Sequence, residues 1–161
     1  MCIRDSFGGD RDNIFISGHS AGGHLVAMMM ATDWPAFDAR LPIQPICGGC
    51  GISGLYDLEP IRLCFLNEDL QISKEIAARN SPMKQQRTCL SPLLLAVGAN
   101  EGPEYLRQSN ELSKAWSQSG ETAKVLVMPG HNHFSIAAQL DNSESELSRA
   151  IQHQMGLHPS T

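Results

Sequence analysis

The feature that most constrains this chain is the pattern Gly-x-Ser-x-Gly at residues 18–22. An apolar run at residues 13–17 leads into it, and an apolar stretch typical of a helix follows at residues 25–30. A strand that turns sharply into a helix at a serine needs small neighbours, because the turn brings backbone segments close together. The pattern therefore predicts a strand–turn–helix unit with the Ser20 hydroxyl exposed at the turn.

This position favours a chemical role for Ser20. An unactivated serine hydroxyl is a weak nucleophile, so a histidine must accept its proton and a carboxylate must orient that histidine. The predicted helix begins directly after Ser20, and its first N–H groups and positive dipole end can stabilise an oxyanion. We therefore expect Ser20 to be the nucleophile and the Ala21 N–H to be one oxyanion donor.

Three further apolar runs, at residues 45–52, 93–97 and 123–128, predict strands that each end close to a glycine. Between the strands, helical spacing of apolar residues alternates with the strand pattern. Such alternation predicts βαβ units and a parallel sheet with helices on both faces.

Two longer helices are predicted in the second half of the chain. One covers about residues 104–119, with Gly120 at the position of a C-cap glycine, and the other covers about residues 143–155. The first of these helices has apolar residues at helical spacing, namely Leu106, Leu112, Ala115 and Trp116. The predicted inner stripe of the second helix consists of Leu147, Ala150 and Ile151. The polar, proline-containing residues 57–92 predict a long excursion with short helices, part of a substrate pocket.

Loops after the last two predicted strands contain the groups that an activated serine needs. The first loop contains Glu101, with Glu104 as the alternative acid, and the second contains His131 and His133. The order serine, acid, histidine suits a nucleophile on such an elbow. We favour Glu101 because Glu104 begins the next predicted helix, and His133 because it lies deeper in its loop beside the apolar Phe134.

The remaining histidines have other expected roles. His19 and His24 flank the serine, but the elbow turns neighbouring side chains away from its open face, which favours packing or hydrogen bonding. His153 and His158 are predicted to be surface residues.

The cysteines indicate reduced thiols rather than a disulfide framework, since five is an odd number without framework spacing. Cys47 and Cys50 have CxxC spacing, and His131 and His133 could complete a zinc site. Residues 46–52 instead resemble a buried strand, in which cysteine acts as a small apolar residue. We therefore predict no metal and no cofactor.

Composition excludes several classes of partner. The net charge of −5 comes from scattered carboxylates, and no cluster of basic residues indicates nucleic-acid binding. The longest apolar stretch, residues 25–31, is far shorter than the roughly 20 residues of a membrane span, and the N-terminus lacks a signal-peptide pattern. The chain has 161 residues, of which 42% are hydrophobic, so we expect one domain with its own core. We also expect a cytoplasmic location.

Residues 13–25 resemble the nucleophile elbow of α/β-hydrolases related to kynurenine formamidase, also called arylformamidase. Further segments resemble the same family, namely residues 53–60, 80–82, 101–105 and 132–134. The resemblance covers about residues 9–140 and implies an α/β-hydrolase fold, specifically the C-terminal part of a mostly parallel sheet flanked by helices. It also implies a Ser20, Glu101, His133 triad, with glutamate where the family usually has aspartate.

The resemblance implies hydrolysis of a small carboxylic ester or an arylformamide such as N-formylkynurenine, without a cofactor. A generic carboxylesterase is the close alternative. The alternative to an active enzyme is a catalytically impaired fragment or a non-catalytic binding protein that retains the hydrolase fold.

Members of that family carry, before the elbow, the first strands of the sheet and a His-Gly-Gly loop that supplies the second oxyanion N–H. We expect residues 1–161 to be a single hydrolase domain without these parts, and residues 1–6 match nothing expected upstream of an elbow. An uncovered sheet edge would favour homo-oligomers, and one missing oxyanion donor would make the isolated chain a poor catalyst.

Overall fold

The computed structural model describes residues 8–117 and 122–157, so the predictions for residues 1–6, Gly120 and His158 lie outside the described residues. Four strands form one parallel sheet in the order β1-β2-β3-β4. Their bounds are Phe15–His19 (β1), Gly48–Ile52 (β2), Leu93–Gly98 (β3) and Ala123–Met128 (β4). This parallel sheet confirms the predicted α/β class.

Seven α-helices lie between and after the strands in the described part of the chain. They are Ala21–Ala31 (α1), Trp34–Phe37 (α2), Glu59–Arg62 (α3), Asn67–Leu70 (α4), Lys74–Arg79 (α5), Pro103–Trp116 (α6) and Glu146–Gln154 (α7). Two 3₁₀ helices add Pro82–Lys84 and Ala137–Asp141. The predicted excursion thus contains α3, α4, α5 and one 3₁₀ helix. None of the described helices combines the length and apolar character of a membrane span.

The strand boundaries differ from the prediction at β1 and β2. β1 runs two residues further than the apolar run at 13–17, because His19 still pairs with Ile52 of β2. β2 begins at Gly48 rather than at residue 45. Sheet pairing, rather than apolar composition, therefore decides where both strands lie.

Side chains on the two faces of the sheet form two separate cores. In β3, Leu93 and Leu95 pack with α1 and α6 on one face, while Leu94 and Ala96 contribute to the other face. The second core also contains Leu147 from α7. A parallel sheet is covered on both faces, so the carboxyl ends of its strands remain the place where loops can form a site.

The buried side of α6 differs in part from its apolar pattern. Leu112 and Trp116 are buried as expected, but Ala115 is exposed. Gln108 and Ser109 are buried instead, each about 1% exposed. Gln108 is buried because its amide pairs with backbone groups of the segment after β2: its side-chain oxygen accepts hydrogen bonds from the Tyr56 and Asp57 N–H groups at 2.6 and 2.8 Å.

Candidate active site

Ser20 lies at the sharp turn between β1 and α1. It is the N-cap residue of α1, with φ 56° and ψ −115°, a conformation that is uncommon for a residue with a side chain. Its N–H donates to the Ile52 carbonyl oxygen at 2.8 Å, which continues the β1–β2 pairing into the turn. The predicted strand–turn–helix unit is therefore present, and the backbone holds Ser20 at the carboxyl end of the sheet.

The glycines around Ser20 provide the close approach that this turn needs. A Cβ added at Gly18 would lie less than 3.0 Å from the backbone of Gly22, including its carbonyl oxygen. A Cβ at Gly23 would lie 2.8 Å from the Cα of Gly54, the second residue after β2. A Cβ at Gly22 would meet no atom within 4 Å. Gly22 therefore limits the turn through its backbone, which excludes a side chain at residue 18.

Three predicted residues from separate loops come together at this turn. His133 Nε2 lies 3.1 Å from the Ser20 hydroxyl oxygen, and His133 Nδ1 lies 2.8 Å from Glu101 Oε2. With the proton on Nδ1, the imidazole donates to the carboxylate and can accept the serine proton. The geometry thus links Ser20, His133 and Glu101 in one chain of hydrogen bonds.

The Glu101 carboxylate is enclosed by donors. Its side chain is fully buried, and Oε1 accepts hydrogen bonds from the Gly98 N–H at 2.6 Å and from the Ser53 hydroxyl at 2.5 Å. These bonds leave Oε2 directed at His133, so the longer glutamate side chain is accommodated by folding back onto the end of β3. Ser53 is not predicted from the sequence, because its only signal is its position directly after a buried strand.

The alternative acid, Glu104, faces a different group. It lies in the first turn of α6 and pairs with Arg107 at 2.5 Å, and it accepts from the Gln108 side chain at 2.9 Å. The hydrogen bond from Arg107 is the main cause that lowers the pKa of Glu104. Glu104 therefore belongs to a surface ion-pair group, as its place in the helix predicted.

The alternative histidine, His131, does not approach the serine with its side chain. Its ring Nδ1 lies 3.5 Å from the Ser135 hydroxyl, and its backbone carbonyl accepts from the Asn100 N–H at 2.9 Å. His131 therefore joins the two loops through its backbone, and His133 is the histidine next to Ser20.

The histidines that flank Ser20 in sequence form structural hydrogen bonds, as expected. The His19 Nε2–H donates to the His133 carbonyl oxygen at 2.7 Å, and the His24 Nε2–H donates to the Asn80 carbonyl oxygen at 2.7 Å. The first bond fixes the loop that contains His133, and the second ties α1 to the excursion. His153 is exposed, in agreement with its prediction.

Aromatic rings surround the His133 imidazole. Tyr105 lies with its ring centroid 4.9 Å away, and Phe134 makes an edge contact at 5.5 Å. Partial burial, and secondarily the Glu101 charge, raises the pKa of Tyr105, so its phenol stays neutral. Phe134 is 79% exposed, which leaves an apolar ring open to solvent beside His133.

The CxxC cysteines lie away from these histidines. Cys47 precedes β2 at its amino end and donates to the Asp12 carbonyl oxygen, while Cys50 is buried in the middle of β2. His131 and His133 follow β4 at the carboxyl end of the sheet. The described residues contain no group of three side chains arranged to hold a metal ion.

Similarity to known proteins agrees with this architecture. Residues 3–153 match the sequence model of the prolyl oligopeptidase family. The chain belongs to that family. Its α/β-hydrolase fold is also that of a solved structure, a putative thioesterase from Silicibacter sp. TM1040, which is 30% identical with a TM-score of 0.76. That match covers 92% of this chain and 53% of the thioesterase chain.

Two kynurenine formamidases are also similar in sequence to this member of the prolyl oligopeptidase family. The protein from Danio rerio is 34% identical over 148 residues, and the protein from Salmo salar is 36% identical over 150 residues. Each match covers 89% of this chain and 50% of the relative. The chain thus spans about half the length of these relatives.

A cavity of about 460 Å³ lies at the opposite end of the sheet. Its lining includes Leu93 and Lys124 at the amino ends of β3 and β4 and Gln154 at the end of α7. In parallel sheets, ligand chemistry occurs beyond the carboxyl ends of the strands. We therefore locate the candidate site by the hydrogen bonds around Ser20 and not by this cavity.

Proposed function

We propose that the protein is a serine hydrolase that transfers an acyl group from a small ester or arylformamide to water. The observation that carries this proposal is the pair of hydrogen bonds that joins Ser20 to His133 and His133 to Glu101, at 3.1 and 2.8 Å. Similarity to formamidases and esterase-type hydrolases supports the same reaction class.

In the proposed mechanism, His133 Nε2 accepts the proton of Ser20 while the serine oxygen attacks the substrate carbonyl carbon. Glu101 holds the imidazole in the required tautomer and stabilises its positive charge. The Ala21 N–H, at the first position of α1 where backbone N–H groups lack helical partners, donates to the oxyanion. His133 then protonates the leaving group, and water attacks the acyl-enzyme with His133 again as the base.

For the substrate we propose a small molecule with an aromatic leaving group, such as N-formylkynurenine, with simple carboxylic esters as the alternative. The supporting observations are the similarity to kynurenine formamidases and the exposed Phe134 ring beside the site. The proposed reaction consists of acyl transfer to Ser20 and then to water, with the proton transfers made by His133, so we propose no cofactor. A cytoplasmic location and the formation of a homo-oligomer stay predictions.

A fluorophosphonate probe tests the nucleophile, because it reacts with an activated serine hydroxyl. We expect labelling at Ser20, located by peptide mass spectrometry, and loss of labelling in Ser20→Ala. The matched control is Ser143→Ala, which removes an exposed hydroxyl far along the chain and should leave labelling unchanged. Unchanged labelling of Ser20→Ala would refute the assignment, and a protein that never reacts would favour the non-catalytic binding protein.

The substrate class needs a separate assay. Hydrolysis of N-formylkynurenine, p-nitrophenyl acetate and a short acyl thioester should be compared at equal protein concentration. We expect the highest kcat/KM for the arylformamide. A preference for the simple ester by more than tenfold would favour the carboxylesterase alternative while keeping the Ser20 mechanism.

A further inference from the structure

Ser53 occupies the same position after β2 as Ser20 does after β1. The register pairs His19 with Ile52, so the two serines follow directly on neighbouring strands. Both have a positive φ, 56° at Ser20 and 49° at Ser53, and the Ser53 N–H donates to the Ala96 carbonyl oxygen at 2.7 Å. The backbone after β2 therefore adopts a conformation that favours glycine, although a serine stands there.

The side chain of Ser53 has one partner of functional interest. Ser53 is fully buried, and its hydroxyl donates to Glu101 Oε1 at 2.5 Å. The same oxygen accepts from the Gly98 N–H, while the other carboxylate oxygen faces His133. Hydrogen bonds to a buried charge are stronger than bonds between neutral groups, and they fix the plane of the carboxylate.

A positive φ at a non-glycine residue strains the backbone, and it persists only where many surrounding contacts hold the residue in that conformation. Such residues often lie beside functional groups. At Ser53 the strained backbone directs the hydroxyl at the carboxylate, which a glycine at this position could not do. The hydroxyl and the Gly98 N–H together allow Glu101 only one orientation. In that orientation Oε2 is available to the imidazole.

We propose that Ser53 is a positioning residue for the reaction: its hydroxyl orients the buried Glu101 carboxylate toward His133. The inference rests on the proposed function, because it concerns the acid of the same triad. The Ser53 hydroxyl hydrogen-bonds to Glu101 and not to Ser20 or His133, so we expect its effect on the reaction to pass through Glu101.

The first test is a double-mutant cycle that measures the second-order rate of Ser20 labelling by the fluorophosphonate. We expect Ser53→Ala to lower this rate by about ten- to a hundredfold, the worth of a hydrogen bond to a charged group. In the Glu101→Gln background, the same substitution should change the rate less than about twofold. An equal loss in both backgrounds would show that Ser53 acts on general structure and would overturn the proposal.

A matched pair of variants separates the hydroxyl from the backbone strain. Ser53→Gly and Ser53→Ala both remove the hydroxyl, but only glycine tolerates the positive φ without cost. We expect equal losses in labelling rate, with Ser53→Gly the more stable of the two in urea unfolding. A Ser53→Gly variant that labels at the wild-type rate would overturn the proposal.

A second measurement does not depend on labelling. The His133 Nδ1–H signal in a proton NMR spectrum reports its hydrogen bond with Glu101, so loss of the Ser53 hydroxyl should accelerate its exchange with water several-fold in both variants. An unchanged exchange rate would overturn the role of Ser53 even if Ser20 reacts normally. Conversely, a protein that is not labelled but shows this acceleration would refute the proposed function and keep the coupling of Ser53 to Glu101.

Discussion

At the scale of single residues, the two outer glycines of the Gly-x-Ser-x-Gly pattern carry unequal constraints. A Cβ at Gly18 would lie within 3.0 Å of the Gly22 backbone, which cannot move without displacing α1. We expect Gly18→Ala to lower the free energy of unfolding by about 1–3 kcal/mol, as overpacking does. Gly22→Ala meets nothing within 4 Å and replaces a helical glycine, so we expect up to about 1 kcal/mol of stabilisation.

Urea unfolding followed by circular dichroism checks this pair. Equal destabilisation by both substitutions would contradict the prediction, because it would mean that the pattern requires a glycine at each position for the same reason.

The two carboxylates near the end of β3 should also differ in their effect on turnover. Glu101→Gln removes the charge that faces His133, so we expect kcat to fall by about a hundred- to ten-thousandfold. Glu104→Gln breaks a partly exposed pair with Arg107 and should change kcat less than about threefold. Steady-state kinetics on the preferred substrate makes the comparison, and the reverse order would transfer the role of the acid to Glu104.

Most of the candidate site follows from the sequence because of one topological fact. The carboxyl ends of parallel strands meet at one edge, so residues after successive strands, such as Ser20, Glu101 and His133, are expected to meet there. Their catalytic roles stay predictions. The same fact also locates Ser53 at that edge, but its role could not be predicted, because the role depends on its backbone conformation and on the direction of one hydroxyl, and neither has a sequence pattern.

At the scale of secondary-structure elements, α6 shows where periodicity fails. Its pattern predicted the existence of the helix, but the exposed Ala115 and the buried Gln108 depend on what lies opposite each face. The chain after β2 presents backbone N–H groups to α6, and a buried N–H needs an acceptor. Only the tertiary structure shows that a polar side chain belongs at that position.

We expect Gln108→Leu to lower the free energy of unfolding by about 2–4 kcal/mol, since it leaves the Tyr56 and Asp57 N–H groups without their acceptor. The control is Asn110→Ala on the exposed side of the same helix, for which we expect a change within about 0.5 kcal/mol. Thermal and urea unfolding measure both. A Gln108→Leu variant as stable as the wild type would show that water replaces the lost acceptor.

At the scale of the whole molecule, the two cores make the interior of the sheet inaccessible while the excursion remains open. Cys50 and Cys89 are 1% and 0% exposed, in the second and first core, whereas Cys64 lies partly exposed after α3. The four described cysteines are free thiols, so they can report how the molecule opens. Alkylation needs a thiolate that the reagent can reach.

Burial raises the pKa of the Cys50 thiol to about 12, so at pH 8 this thiol is neutral as well as inaccessible. We therefore expect iodoacetamide to modify Cys64 in the native protein and to leave Cys50 and Cys89 unmodified. In increasing urea, both buried thiols should become reactive together at the midpoint of unfolding, because each lies in a core that depends on the intact sheet. Peptide mass spectrometry after timed alkylation gives the rate at each site, and Cys64→Ser removes the native modification at that one site as a control. Modification of Cys50 at low urea, well before the loss of circular dichroism, would mean that β2 separates from its neighbours while the rest of the molecule stays folded.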